Sequence, residues 1–349
     1  MRFGRKKRAI TALFVIYVIY IVPTNIRIAL IGAGGIGIVF LCIFLILNKA
    51  VKRTNWWRNN FVFTRQFVSN KGYRNNLIRN LKICNVGSNP ARFAFHYENI
   101  MGENWSTGTQ GLDMDLEILK FNHSYLCKGA CVLLSIVPFS SVSGYLDNRG
   151  KTKKSLAKFS EALDSLQMQR LPMFRNISIY KRFPLFYEWR ALGHLVCDED
   201  QDCRLLISEN PMQRIQMEQD AYEWMRLWKE EFDIKDFHTP LPVWLQEGRR
   251  RSLEAMGKMV EFLLERDYRP ILISPPVSSS LSKHFTSDVK ETYIYSFTKE
   301  ITTRYHIQYL DYTDDSTLQP PELYFNALFL NLRGRKLFTR RVLKDLEIQ

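Results

Sequence analysis

The chain has 349 residues, 46% of them hydrophobic and 24% charged, which excludes both a chain disordered throughout and a many-span membrane protein and leaves room for more than one domain. Its net charge of +14 sits at one end: residues 1–85 hold fifteen Lys or Arg and no acid, while the remainder holds 34 basic and 35 acidic side chains. Basic charge placed this way argues against a nucleic-acid surface spread over the fold and for an N-terminal contact with something anionic.

The first elements are apolar. From Ala9 to Leu47 the sequence is nearly all hydrophobic, broken by Pro23, Thr24, Asn25 and Arg27. Ile28 to Leu47 makes a helix of about 30 Å, the thickness of a bilayer core, and Gly32, Gly34, Gly35 and Gly37 suit close helix packing. Ala9 to Val22 is short for a span and follows Arg2, Arg5, Lys6, Lys7 and Arg8. It reads as a signal-peptide core or as the first arm of a helical hairpin turning at Pro23 to Arg27. No small-x-small cleavage site follows it, which favours a hairpin anchor over residues 1–48 with arms 9–22 and 28–47. Basic residues flank both arms and only Arg27 lies between them, so the positive-inside rule places the main domain in the cytoplasm, whereas a single transmembrane segment would place it outside. Residues 49–80 then form a basic juxtamembrane collar for lipid, with Trp56 and Trp57 in an interfacial belt.

Six cysteines give no framework. Cys127 with Cys131, and Cys197 with Cys203, lie close enough to close small loops, but neither pair has the second half of a zinc site. Isolated thiols are expected there and at Cys42 and Cys84; no metal or cofactor is expected.

From residue 81 onward short apolar runs alternate with amphipathic stretches. The expected strands are Leu81 to Val86, Ala130 to Val137, Pro270 to Ser274 and His306 to Tyr312. The expected helices are Gly111 to Lys120, Met212 to Glu231, Leu245 to Glu265, Val289 to Arg304 and Gly334 to Leu346. Strands this apolar, separated by helices, predict an α/β domain over 81–349, a parallel sheet flanked by helices. Residues 139–243 exceed one crossover and predict a helical insertion.

Two blocks carry the chemistry-bearing positions. The first strand runs into Gly87, Ser88, Asn89 and Pro90; near the other end stand Asn326, Phe329, Leu330, Asn331 and Gly334. Together they resemble the SGNH (GDSL-like) hydrolase superfamily, and within it the membrane-anchored branch related to the D-alanine transfer protein of teichoic-acid loading. The resemblance covers about residues 80 to 345. It implies a three-layer, flavodoxin-like fold at a bacterial cell membrane, outside the cell by family analogy although the charge count favours the cytoplasm.

The resemblance also implies a Ser nucleophile at position 89, an Asp at 326 and a His at 329. Asn89, Asn326 and Phe329 stand there instead, so no catalytic triad is intact. Ser88 is the possible substitute nucleophile, with His96, His123 or His284 as a displaced base. The pocket residues implied are Gly87, Ser88, Asn104, Gly108 and Asn331, with Asn104 or Gly108 helping to form an oxyanion hole. The function expected is a non-catalytic, membrane-anchored protein aiding synthesis or acyl modification of a cell-surface polymer. Its partners would be lipids and a membrane acyltransferase or polymer-synthesis protein, with no nucleic acid. An active O-acyltransferase or esterase using Ser88, and a purely structural membrane scaffold, are the alternatives.

Overall fold

The computed structural model describes residues 24–54, 57, 79–97, 100–106, 111–148, 182–186, 189–197, 208–237 and 240–348. They fall into two compact units: one holds the first helix, the chain to Thr54 and Arg182–Cys197, and the other holds the sheet.

In the first unit, helix α1 runs unbroken over Thr24–Val51. Thr24, Asn25 and Arg27, expected in a turn, therefore lie within a helix. The expected arm Ala9 to Val22 lies outside the described residues. Among the described residues, no helix is long and apolar enough to cross a membrane.

The second unit is α/β. Strands β1 (Leu81–Val86), β2 (Gly102–Asn104), β3 (Leu126–Ser135), β4 (Arg269–Ser274) and β5 (Gln308–Asp311) form one sheet in the order β2-β1-β3-β4-β5. Every neighbouring pair is parallel, with Ile83 opposite Cys131, Leu133 opposite Ile271 and Ile273 opposite Leu310. The helices are α2 (Leu112–Asn122), α3 (Arg214–Phe232), α4 (Val243–Leu264), α5 (Ser296–Tyr305) and α6 (Leu332–Asp345). Alternate strand residues feed opposite cores, as the pleat requires. Ile83, Leu133 and Ile271 pack with α3 and α6 through Met217, Trp228 and Phe338. Cys84, Val132 and Leu272 pack with α2, α4 and α5 through Ile118, Met259 and Phe297.

Four strands fall where the apolar runs place them, with shifted ends: β3 begins at Leu126 rather than Ala130, and β5 is shorter than His306 to Tyr312. The edge strand β2 carries no sequence signal, because its three residues, Gly-Glu-Asn, are poor strand formers held by pairing to β1. The expected helix Val289 to Arg304 is interrupted by a π-helical turn over Glu291–Tyr295 before α5. Within the stretch expected as an insertion, α3 is part of the sheet's covering layer, burying Met217, Ala221, Met225, Trp228 and Phe232. Trp57, expected at a membrane interface, is instead buried, in the same core cluster as Leu81, Cys84 and Val132. Trp56 lies outside the described residues. Cys42, Cys84, Cys127, Cys131 and Cys197 are free thiols, though only Cys84 and Cys131 are buried.

Candidate functional site at the carboxyl edge of the sheet

The chain winds from β1 out to β2 and then crosses back to β3 on the other side of β1. The β1–β3 boundary is therefore the point where strand order reverses, the usual ligand crevice of an open parallel sheet. Gly87 ends β1 there with φ +141°, and a Cβ on it would lie 2.7 Å from the Ala91 Cβ and 3.2 Å from the Ser135 Cβ. Glycine is required on both counts, and Ser135 is brought beside the first block. Ser88 and Asn89 are half-buried. Ser88 is the cap residue of the one-turn helix Asn89–Arg92, but its hydroxyl makes no cap bond.

Asn104, at the end of β2, is buried. Its Nδ2 donates to the carbonyls of Arg92 and Phe95 at 3.1 Å each and of Ala91 at 3.4 Å. Its Oδ1 accepts from Asn85 Nδ2 at 2.7 Å and from the Ser106 amide at 3.0 Å. Every face of the amide is engaged in holding the Ala91–Phe95 turn to the sheet, and none is presented to a ligand. Gly108 lies outside the described residues.

A small cleft of about 10 Å³, room for about one water molecule, opens at this edge. Its lining comes from the loops after β1, β3 and β4 and from the last block: Pro90 and Phe93, Val137 and Pro138, Pro275 to Val277, Leu328 and Leu330, with Ala94. Gly87, Ser88, Asn104 and Asn331 are not among the lining residues. Four of those residues are prolines, which have no backbone N–H to offer a developing oxyanion. Its walls are apolar and supply no proton donor or acceptor side chain.

The last block is folded tightly on itself. An antiparallel bridge joins Tyr324 to Leu330. Inside it, Asn326 Oδ1 accepts from the amides of Leu328 at 3.0 Å and Phe329 at 2.7 Å. The Ala327 amide donates to Asp220 on α3 at 2.8 Å, and its carbonyl accepts from Ser278 Oγ at 2.7 Å. Asn326 is thus a turn-forming residue, as short amide side chains often are.

Phe329 packs among other rings. It stacks on Phe93 at 5.1 Å and 22°, meets Trp224 edge-on at 5.5 Å, and lies 5.7 Å from Phe325. Such geometry favours aromatic pairs beyond their buried area. We expect Phe329→His to lower stability by about 1–2 kcal/mol, through the burial of a polar ring, and to leave turnover of p-nitrophenyl butyrate at the unmodified protein's background. Denaturant unfolding and a chromogenic esterase assay read the two effects.

The framework positions of the block have structural duties. Asn331 caps α6, accepting from the Gly334 amide at 3.0 Å and donating through Nδ2 to the carbonyls of Glu322 at 2.8 Å and Glu209 at 3.2 Å. A Cβ on Gly334 would lie 2.2 Å from the Leu323 carbonyl oxygen.

The histidines are dispersed. His123 precedes β3 and so lies at the amino edge, with its ring against Phe262 at 5.6 Å and its pKa lowered by burial and then by Arg266. The His96 amide donates to Thr339 Oγ1 on α6. His284 follows β4 beside Lys283, and burial followed by Lys283 lowers its pKa. Among the described residues no imidazole hydrogen-bonds Ser88. Ser274, at the end of β4, is engaged with the Tyr309 hydroxyl at 2.8 Å. Ser135 Oγ and Asn85 Oδ1 are buried with no hydrogen-bond partner. Beneath the turn, Arg335 donates to the Phe95 carbonyl at 2.7 Å, and burial together with neighbouring Arg92 brings its pKa down to about 9.

Sequence reasoning overlooked Phe93, Asp220, Trp224 and the prolines. Asp220 and Trp224 carry a faint signal, since residues four apart share a helix face and the Trp224 indole does donate to Asp220 at 3.1 Å. Neither a protein-family model nor a curated protein matches this chain.

Proposed function

We propose that the protein is a membrane-anchored SGNH-like pseudo-hydrolase whose carboxyl sheet edge offers an apolar surface, rather than a deep pocket, to an acyl-bearing ligand or a protein partner. The setting we infer is the synthesis or acyl modification of a bacterial cell-surface polymer, alongside a membrane acyltransferase or polymer-synthesis protein. The observation that carries the loss of hydrolysis is the ring cluster at Phe329: the position where the resemblance calls for a proton carrier is filled by a phenyl ring stacked on Phe93. A serine without a base stays a weak nucleophile, and a triad stripped of its members loses nearly all of its turnover.

Support for the anchor comes from α1. Ile36, Ile38, Val39, Phe40, Leu41, Ile43, Leu45 and Ile46 are all exposed on it, and an exposed apolar stretch of this size is suited to lipid contact rather than to water. Lys49, Lys52 and Arg53 follow directly, the start of the collar that would meet anionic headgroups.

A fluorophosphonate probe tests the inert reading. The full chain is expected to remain unlabelled, and Ser88→Ala to be indistinguishable from it. Labelling that disappears in Ser88→Ala would establish the esterase or acyltransferase alternative in its place.

A further inference from the structure

We propose that Arg182–Cys197 is a second membrane-contacting element, a wedge lying in the anionic headgroup layer against the end of α1; this rests on the anchor reading above. The segment folds as two 3-10 turns, Pro184–Phe186 and Trp189–Leu195, and belongs to the same compact unit as α1. It is fastened to the last turns of that helix. Asn48 Oδ1 accepts from the Leu185 amide at 3.1 Å, and Lys52 Nζ donates to the Arg182 carbonyl at 3.4 Å. The Phe44 ring lies 4.8 Å from Phe186 and 6.0 Å from Phe183.

The outward surface of these turns is unsuited to water. Ala191 is buried, while Phe186, Trp189 and Val196 are 65%, 70% and 93% exposed and Leu192 and Leu195 are exposed as well. Pro184 is buried too and Phe183 and Leu185 are half-buried, yet most of the large apolar side chains on these turns face outward. Isolated exposed apolar residues are ordinary, but this set shares one unit with the exposed apolar side chains of α1, and such patches mark interaction sites.

Position and charge select the occupant. The wedge is joined to α1 where the helix passes from Phe44 and Leu45 to Asn48, Lys49, Lys52 and Arg53, so it sits at the depth where hydrocarbon gives way to headgroups. Exposed Arg182 and Arg190 lie 5.6 Å and 5.8 Å from the rings of Phe183 and Trp189. Tryptophan with arginine at that depth is the composition of the membrane interface, where a ring sits among glycerol groups and a guanidinium reaches phosphate.

The test uses the full chain in vesicles of phosphatidylcholine and phosphatidylglycerol, with an environment-sensitive NBD fluorophore at one of two sites. Native Cys42 on α1 is labelled in a background carrying Cys127→Ser, Cys197→Ser and Cys203→Ser; Val196→Cys is labelled in that background with Cys42→Ser added. We expect both probes to shift to the blue, the probe at 42 quenched by nitroxides deep in the acyl chains and that at 196 by nitroxides near the glycerol. A probe at 196 that emits as in buffer and is quenched by iodide, with 42 in lipid, overturns the wedge and leaves the anchor standing. A probe at 196 shielded from iodide but unreached by any lipid nitroxide also overturns it, in favour of a protein covering the patch. Water-like emission from both overturns anchor and wedge together.

Discussion

Asn104→Ala is expected to destabilise the α/β unit by about 4 kcal/mol, since stranding a buried hydrogen-bonding group costs about 1–3 kcal/mol and several are stranded at once. The side chain ties the carbonyls of Arg92 and Phe95 to the sheet edge while accepting from Asn85 and from the Ser106 amide. Its loss leaves the Asn85 amide with Ser106 Oγ alone and the turn carrying Phe93 without its tether. Asn104→Asp should cost nearly as much, because a carboxylate keeps the acceptor but turns a charge toward carbonyl oxygens. Denaturant unfolding of the full chain in mild detergent measures both. Near-neutral variants would mean that Asn104 is not held as described and is available to a ligand.

Gly334→Ala is expected to cost about 3 kcal/mol, at the upper end of what forcing an extra methyl into a packed interior typically costs. The methyl would fall 2.2 Å from the Leu323 carbonyl oxygen and 2.8 Å from Leu330 Cδ2. A backbone carbonyl cannot rotate aside, and this one already accepts from the Asn331 amide at 2.9 Å. Helix α6 would have to lift, pulling Phe338 and Val342 from the core they share with the sheet. A fall in melting temperature with a cooperative transition is the expected signature, and an unchanged melting temperature would contradict the close approach.

These two residues also mark what the sequence made legible. Asn331 and Gly334 stood out as a framework, and their reason is now physical: one caps α6 and the other lets Leu323 approach it. The sheet was legible because parallel strands are buried on both faces, which writes β1, β3 and β4 as continuous apolar runs. Strand β2 was not, since Gly102, Glu103 and Asn104 acquire strand geometry only from pairing with β1. At the site, Asn89, Asn326 and Phe329 could be read directly, but not what surrounds them. Phe329 finds its partners on α3 and on the turn after β1, and no local pattern announces that Trp224 and Phe93 meet there. Trp57 misled for a related reason, because a tryptophan beside a basic run looks the same in sequence whether it ends among headgroups or under β1.

The prolines at the carboxyl edge bear on what designed chemistry this edge could host. Side chains at positions 89, 326 and 329 can be exchanged one by one. Pro90, Pro138, Pro275 and Pro276 are a different kind of obstacle, since they delete main-chain donors from the loops that face the cleft. Installing acyl-transfer chemistry there would require rebuilding loop backbones as well as side chains, because an oxyanion would find no N–H on those four residues.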